Sequence, residues 1–167
     1  GQNTFNTEKF RLTFANGTYD MKEKKFYDEY FKEDRSTVRV NWNYVDEYKD
    51  KRPEKLDKFL SMMMDEETIE LIYETIGSFF VKEYLPKKFI ILSGGGNNGK
   101  STLLELFKTV VGYENVSSVN LQGLTDPNFK FQRVMLMDKL ANIVGEIPAD
   151  YILDTSLLKM FTGQKDS

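Results

Sequence analysis

Phe89-Ile90-Ile91-Leu92-Ser93-Gly94-Gly95-Gly96-Asn97-Asn98-Gly99-Lys100-Ser101-Thr102-Leu103-Leu104 is the stretch on which the fold turns. Its first four residues are continuously apolar, as in a strand covered on both faces of a parallel sheet, and a glycine cluster ends them. Beyond the cluster, Leu103, Leu104, Leu106, Phe107, Val110 and Val111 recur at helical spacing until Gly112 stops them. Strand, glycine-rich loop and helix in that order predict an α/β fold, a parallel sheet with right-handed crossovers.

Gly94 to Ser101 fits the pattern of Gly, four residues, then Gly-Lys-Ser/Thr. The glycines at 94, 95, 96 and 99 permit positive φ and close backbone approach, so that the loop, with Asn97 and Asn98, turns successive N–H groups toward an anion. Lys100 is expected to reach the outer phosphates of a nucleotide. The Ser101 hydroxyl is expected to ligate magnesium at the positive end of the following helix, which Thr102 continues. The competing reading is a glycine-rich turn without chemistry; the buried-type strand before it and the amphipathic helix after it favour the phosphate loop. ATP with magnesium is therefore the expected ligand pair.

Working outward toward the C-terminus, Val116 to Val119 is a further candidate strand, and Thr155 to Phe161 reads as a short helix. A nucleotide hydrolase also needs a carboxylate at the end of a neighbouring strand, to hold magnesium or orient the attacking water. Two apolar runs end in an acid: Val134-Met135-Leu136-Met137-Asp138, and Leu140-Ala141-Asn142-Ile143-Val144-Gly145-Glu146. Pattern alone leaves Asp138 and Glu146 even, and either is also readable as a solvated carboxylate flanking a strand.

Toward the N-terminus, Phe10 to Tyr44 mixes short aromatic and β-branched runs with turn signals, including Asn16-Gly17 and the charged Lys22 to Lys25. Small, irregular β structure is expected. Asp46 to Arg52 reads as a charged linker. Pro53 suits a first helical position, and Leu56, Phe59, Leu60, Met63 and Met64 follow at helical spacing. A second helix is predicted from Asp65 as N-cap, with Ile69, Ile72, Tyr73, Ile76, Phe79 and Phe80 on one face. The expected organisation is a small β-rich region over 1–50, a helical region over 51–86 and a P-loop core over 87–167.

The 167 residues are 40% apolar and 29% charged, which suits a globular chain. With no cysteine and no histidine, disulfides, thiolate metal sites and imidazole catalysis are excluded, leaving hard cations held by oxygen. A net charge of −3 argues against bulk electrostatic wrapping of nucleic acid, while leaving room for local basic contacts. No apolar run approaches the roughly 20 residues of a membrane span, and the start lacks a signal-peptide layout, so a cytoplasmic location is expected. The start at Gly1-Gln2 and the stop at Lys165-Asp166-Ser167 read as the ends of an internal piece of a longer protein.

Together these motifs resemble the superfamily 3 helicases of plasmid, satellite-phage and poxvirus-type primase-helicase proteins. The similarity runs from Asn16-Gly17-Thr18-Tyr19-Asp20, through the helical Leu56 to Gly77, to the loop with Asn ahead of Gly99-Lys100-Ser101-Thr102, its most specific mark. Asp138 to Ile147 looks like the family's Walker B region, and this resemblance favours Glu146 over Asp138. Leu158 to Asp166 looks like the opening of motif B′. The resemblance implies an AAA+-like ATPase that forms a hexameric ring and translocates on single-stranded DNA during replication, with a primase domain often in the same chain. Gly145 stands where many relatives carry a second acid, so Glu146 is implied to serve both magnesium and water. The family's sensor asparagine, arginine finger and DNA-contacting hairpin would follow Ser167, so this chain is expected to bind nucleotide better than it hydrolyses it.

Other features have plainer readings. Lys159, Thr162 and Lys165 fit a solvated helix face. Phe129-Lys130-Phe131-Gln132-Arg133, Trp42 and Tyr44 are expected as core aromatics rather than base-stacking groups. Met62-Met63-Met64 reads as helix-packing filler. Two rival functions stand beside the helicase: a P-loop kinase, which wants an Arg-rich lid, and a nucleotide-dependent switch for assembly or docking.

Overall fold

Alternating side chains in Arg11-Leu12-Thr13-Phe14 build a first strand, β1 (Arg11–Phe14), which buries Leu12. It pairs antiparallel with β2 (Gly17–Asp20), and β2 pairs antiparallel with β3 (Lys25–Tyr27). Then follow α1 (Glu54–Ser61), α2 (Glu66–Phe79), α3 (Lys100–Val111), β4 (Val116–Ser117) and β5 (Ala141–Asn142). The computed structural model describes residues 5–82, 90–95, 99–120 and 134–146. Over these the molecule is mixed α/β, with the antiparallel sheet β1-β2-β3 and a parallel pair, β4-β5.

The β1–β2 hairpin forms, one residue away from the expected turn. Phe14 pairs with Gly17, so Ala15 and Asn16 make the connection and Gly17 opens β2. Crowding demands glycine at that strand position: a Cβ on Gly17 would overlap the Tyr27 carbonyl oxygen and lie 2.7 Å from Phe26 Cζ. Asn16 instead serves as a strand mimic, its Nδ2 donating to the Tyr44 carbonyl and its Oδ1 accepting from the Tyr44 N–H, at 2.9 and 2.8 Å.

That pairing sets Tyr44 among three rings. It stacks on Tyr19 and Phe26, with centroids 5.1 and 4.6 Å away, and meets Phe14 edge-on at 5.6 Å. Tyr44 thus packs as expected, whereas Trp42 does not. Trp42 is 54% exposed; its backbone carbonyl accepts from Ala15 N–H, which leaves the indole outside the cluster. On the other side of the sheet, Arg11 donates to Asp20 and Asp34, at 3.1 Å each, and lies over the Phe31 ring. Both carboxylates are buried.

Pro53 stands at the N-cap of α1, its carbonyl accepting from Leu56 and Asp57. The helix ends at Ser61, earlier than the apolar spacing predicted, because the Leu60 carbonyl takes the N–H groups of both Met63 and Met64 in a turn. Asp65 caps α2 as expected, its Oδ1 accepting from Thr68 N–H at 2.9 Å. Leu60, Ile69, Ile72, Leu103, Phe107 and Ile143 form one buried cluster, joining α1, α2, α3 and the residue after β5. Phe79 meets Phe107 edge-on at 5.5 Å. The methionines divide: Met63 and Met64 pack on this cluster, while Met62 is exposed.

Two expected strands are absent from the described residues. Ile90-Ile91-Leu92 runs without strand pairing, and Ile90 and Ile91 are 53% and 47% exposed. The parallel pair β4-β5 does not extend to this segment among the described residues, and of its three residues Leu92 packs on the core cluster. Val134 to Met137 forms a turn with Val134, Met135 and Met137 exposed, so Asp138 ends no strand. Val116 to Val119 is a strand over its first two residues. Asn142 extends the pairing with its side chain, donating to the Val119 carbonyl and accepting its N–H, both at 2.8 Å.

Candidate functional site

Gly99 begins the site. Its φ of +80° is the left-handed conformation that glycine adopts without strain, and it places α3 directly after the loop. Lys100, the first residue of α3, folds back so that Nζ donates to the Gly94 and Gly95 carbonyls, each at 2.8 Å. The lysine therefore straps the front of the loop to the helix start. Ser101 and Thr102 are exposed in the first turn, and open space surrounds the position of a Cβ on Gly95.

The electrostatics of α3 differ from those of its neighbours. Acids sit in the first turns of α1 (Glu54, Asp57) and α2 (Glu66, Glu67), and Asp65 caps α2. The first turn of α3 has no acid, and its N-cap is a glycine with no side chain to offer. No side chain of its own first turn or N-cap neutralises the positive end of α3.

Two core residues anchor the site's edges. Leu92 packs on the cluster that contains Leu103 and Phe107, just ahead of Gly94, and Ile143 belongs to that cluster, just ahead of Glu146. Glu146 is exposed beyond β5. Asp138, the rival acid, is turned elsewhere: its Oδ1 accepts from Asn6 Nδ2 at 3.1 Å, and its backbone has a φ of +57°. Gly96, Asn97, Asn98, Phe129 to Arg133, Thr155 to Phe161, and the B′ candidates Lys159, Thr162 and Lys165 lie outside the described residues.

One contact was not legible in the sequence. Met63 Sδ fills the place where a side chain on residue 99 would stand, and a Cβ on Gly99 would overlap it. The apolar spacing that marks Met63 as packing carries no signal that its neighbour is Gly99. A second unexpected link is Asn115, buried at the far end of α3, whose Nδ2 donates to the Val111 and Arg39 carbonyls, both at 2.8 Å.

Comparison with known families gives two matches, one at each end of the chain. Residues 2–65 match a family model described as D5 N terminal like, and residues 92–167 match a family of unknown function, DUF5906. The D5 N-terminal-like domain is the N-terminal region of phage and viral primase-helicase proteins, and the front of this chain is similar to it. No curated protein matches the chain. Among the described residues, no helix is long and apolar enough to cross a membrane.

Proposed function

We propose that the chain is the ATP-binding motor portion of a replicative DNA helicase of a mobile element or virus, built on a P-loop, AAA+-like core. The observation that carries this reading is the Lys100 strap across Gly94 and Gly95 at the start of an uncapped, acid-free helix. The similarity of residues 2–65 to the N-terminal region of primase-helicases supports the replication setting. In the full-length protein the motor acts on single-stranded DNA as a homo-oligomeric ring, with a hexamer and a linked primase domain as the proposed arrangement.

In this reading the backbone N–H groups around Gly94 to Gly99 and the first turn of α3 orient the nucleotide phosphates. Lys100 exchanges its two carbonyl partners for the outer phosphates, so the loop opens as the anion enters. Ser101 and Glu146 are the residues that would hold magnesium, whose chemistry when bound is to neutralise charge on the transferred phosphoryl group. The residues fit that role: a hydroxyl exposed at a positive helix end, and a carboxylate exposed just beyond a core-anchored residue. Glu146 also accepts a proton from, and orients, the attacking water.

Single-turnover hydrolysis of labelled ATP, with the chain in excess, tests these roles. Glu146→Gln should bind ATP as the parent does and lose turnover, whereas Asp138→Asn should change neither. Loss of turnover with Asp138→Asn and not with Glu146→Gln would reverse the assignment.

A nucleotide-dependent assembly switch is a second reading, favoured by the Asn115 link from the end of α3 to Arg39. Oligomerisation that follows nucleotide binding and is indifferent to Glu146→Gln, without DNA unwinding, would select it.

A further inference from the structure

We infer that Met63 is a positioning residue for the phosphate loop: its thioether seats Gly99 and so couples the turn between α1 and α2 to nucleotide binding. The inference rests on the reading of Gly94 to Ser101 as a nucleotide phosphate loop, and it adds a group that this motif does not contain.

Three observations bring Met63 to that role. Its backbone is held firmly, because its N–H and that of Met64 both donate to the carbonyl of Leu60, at 2.9 and 3.0 Å, and Leu60 is fully buried. Its side chain packs on the cluster that includes Leu103 and Phe107 of α3. Its sulfur then occupies the place that a side chain at 99 would take, against the one described loop residue with a left-handed backbone. Met63 thus packs directly against the loop residue that feeds α3, on the side where any other residue type would carry its Cβ.

The residue type suits the task. A loop that releases Lys100 from two carbonyls as phosphate enters must shift slightly, and an unbranched, polarizable thioether with several rotatable bonds follows such a shift while keeping contact. A smaller side chain leaves the glycine free to sample other conformations, and ordering it again then opposes binding. The contact also crosses between the two family matches, since Met63 falls within 2–65 and Gly99 within 92–167. It therefore gives the front region a direct mechanical hold on the nucleotide loop.

Affinity for a fluorescent ATP analogue with magnesium is the test, measured beside thermal unfolding in the parent chain, Met63→Ala, Met63→Leu, Met64→Ala and Lys100→Ala. Met64 packs on the same cluster and serves as the control for general loss of packing. Met63→Ala should weaken binding about tenfold, and Met63→Leu should restore most of it. Met64→Ala should lower Tm to a similar degree with affinity unchanged. In the parent carrying methyl-labelled methionine, the Met63 ε-methyl resonance should move when nucleotide is added, while that of exposed Met62 should not. Unchanged affinity for Met63→Ala together with a static Met63 resonance, in a parent whose binding depends on Lys100, would overturn this inference alone. Absence of Lys100-dependent binding in the parent would overturn the phosphate-loop reading and this inference with it.

Discussion

Asn115 donates to the backbone carbonyl of Arg39 across 2.8 Å, and with its other amide hydrogen it caps the Val111 carbonyl at the end of α3. One buried side chain thus ties the far end of α3 to the segment that runs beside β1. Arg39 bridges Thr13 in parallel, and Val40 N–H donates to the Thr13 carbonyl at 2.8 Å, so the link continues into the antiparallel sheet.

Replacing Asn115 with alanine removes the donor from two carbonyls, that of Val111 in a buried setting and that of Arg39 in a partly buried one. The expected loss is on the order of 2–3 kcal/mol, roughly 5–10 °C in Tm, with Asn115→Asp at least as damaging because it presents oxygens to oxygens. Thermal unfolding checks this. A change of under about 1 °C in Asn115→Ala would mean that the two hydrogen bonds contribute nothing net.

Gly17→Ala should destabilise the front sheet. The added methyl overlaps the Tyr27 carbonyl oxygen, which is backbone and cannot swing away, and approaches Phe26, whose ring stacks on Tyr44. A cost of about 1–3 kcal/mol follows from overpacking of this kind, measurable by urea denaturation. The Tyr44 ring environment, read by near-ultraviolet circular dichroism, should change in the same variant.

The two acids that share Arg11 respond to pH in opposite senses. The Glu23 N–H is the largest influence holding the Asp20 carboxyl below its ordinary value; burial opposes it, and Arg11 and the Lys22 N–H reinforce it. Burial pushes the Asp34 carboxyl up, against the pull of Arg11. A depressed carboxyl contributes stability that is present above its unfolded pKa and lost as pH falls through the folded one. A raised carboxyl contributes stability below its unfolded pKa that fades as pH rises through the folded one. Asp20→Asn should therefore flatten the loss of stability on acidification below the ordinary carboxylate range, and Asp34→Asn should not. Urea midpoints measured down the acid limb give the answer.

Several of these features are legible in single segments of the chain, and others are not. Asp65 announced the start of α2 and Gly112 the end of α3, because each is a local rule of backbone geometry or capping, whereas the Gly-Lys-Ser pattern pointed Lys100 toward phosphate and gave no sign of its strap to the Gly94 and Gly95 carbonyls. The failures were non-local. Ile90-Ile91-Leu92 has the composition of a covered strand, yet composition cannot supply the neighbouring strands. Trp42 reads as core until Ala15 claims its carbonyl, and Gly17 reads as a turn centre until β3 crosses over it. Met63 at Gly99 and Asn6 at Asp138 join distant parts of the chain, which no single-segment pattern encodes.

Equilibrium binding of a fluorescent ATP analogue with magnesium, parent against Lys100→Ala, addresses the central claim most directly. The account predicts saturable, magnesium-dependent binding in the parent and a loss of affinity of at least about tenfold in the variant, roughly 1.4 kcal/mol, at unchanged Tm. No binding by a folded parent, or equal binding by both chains, would contradict it.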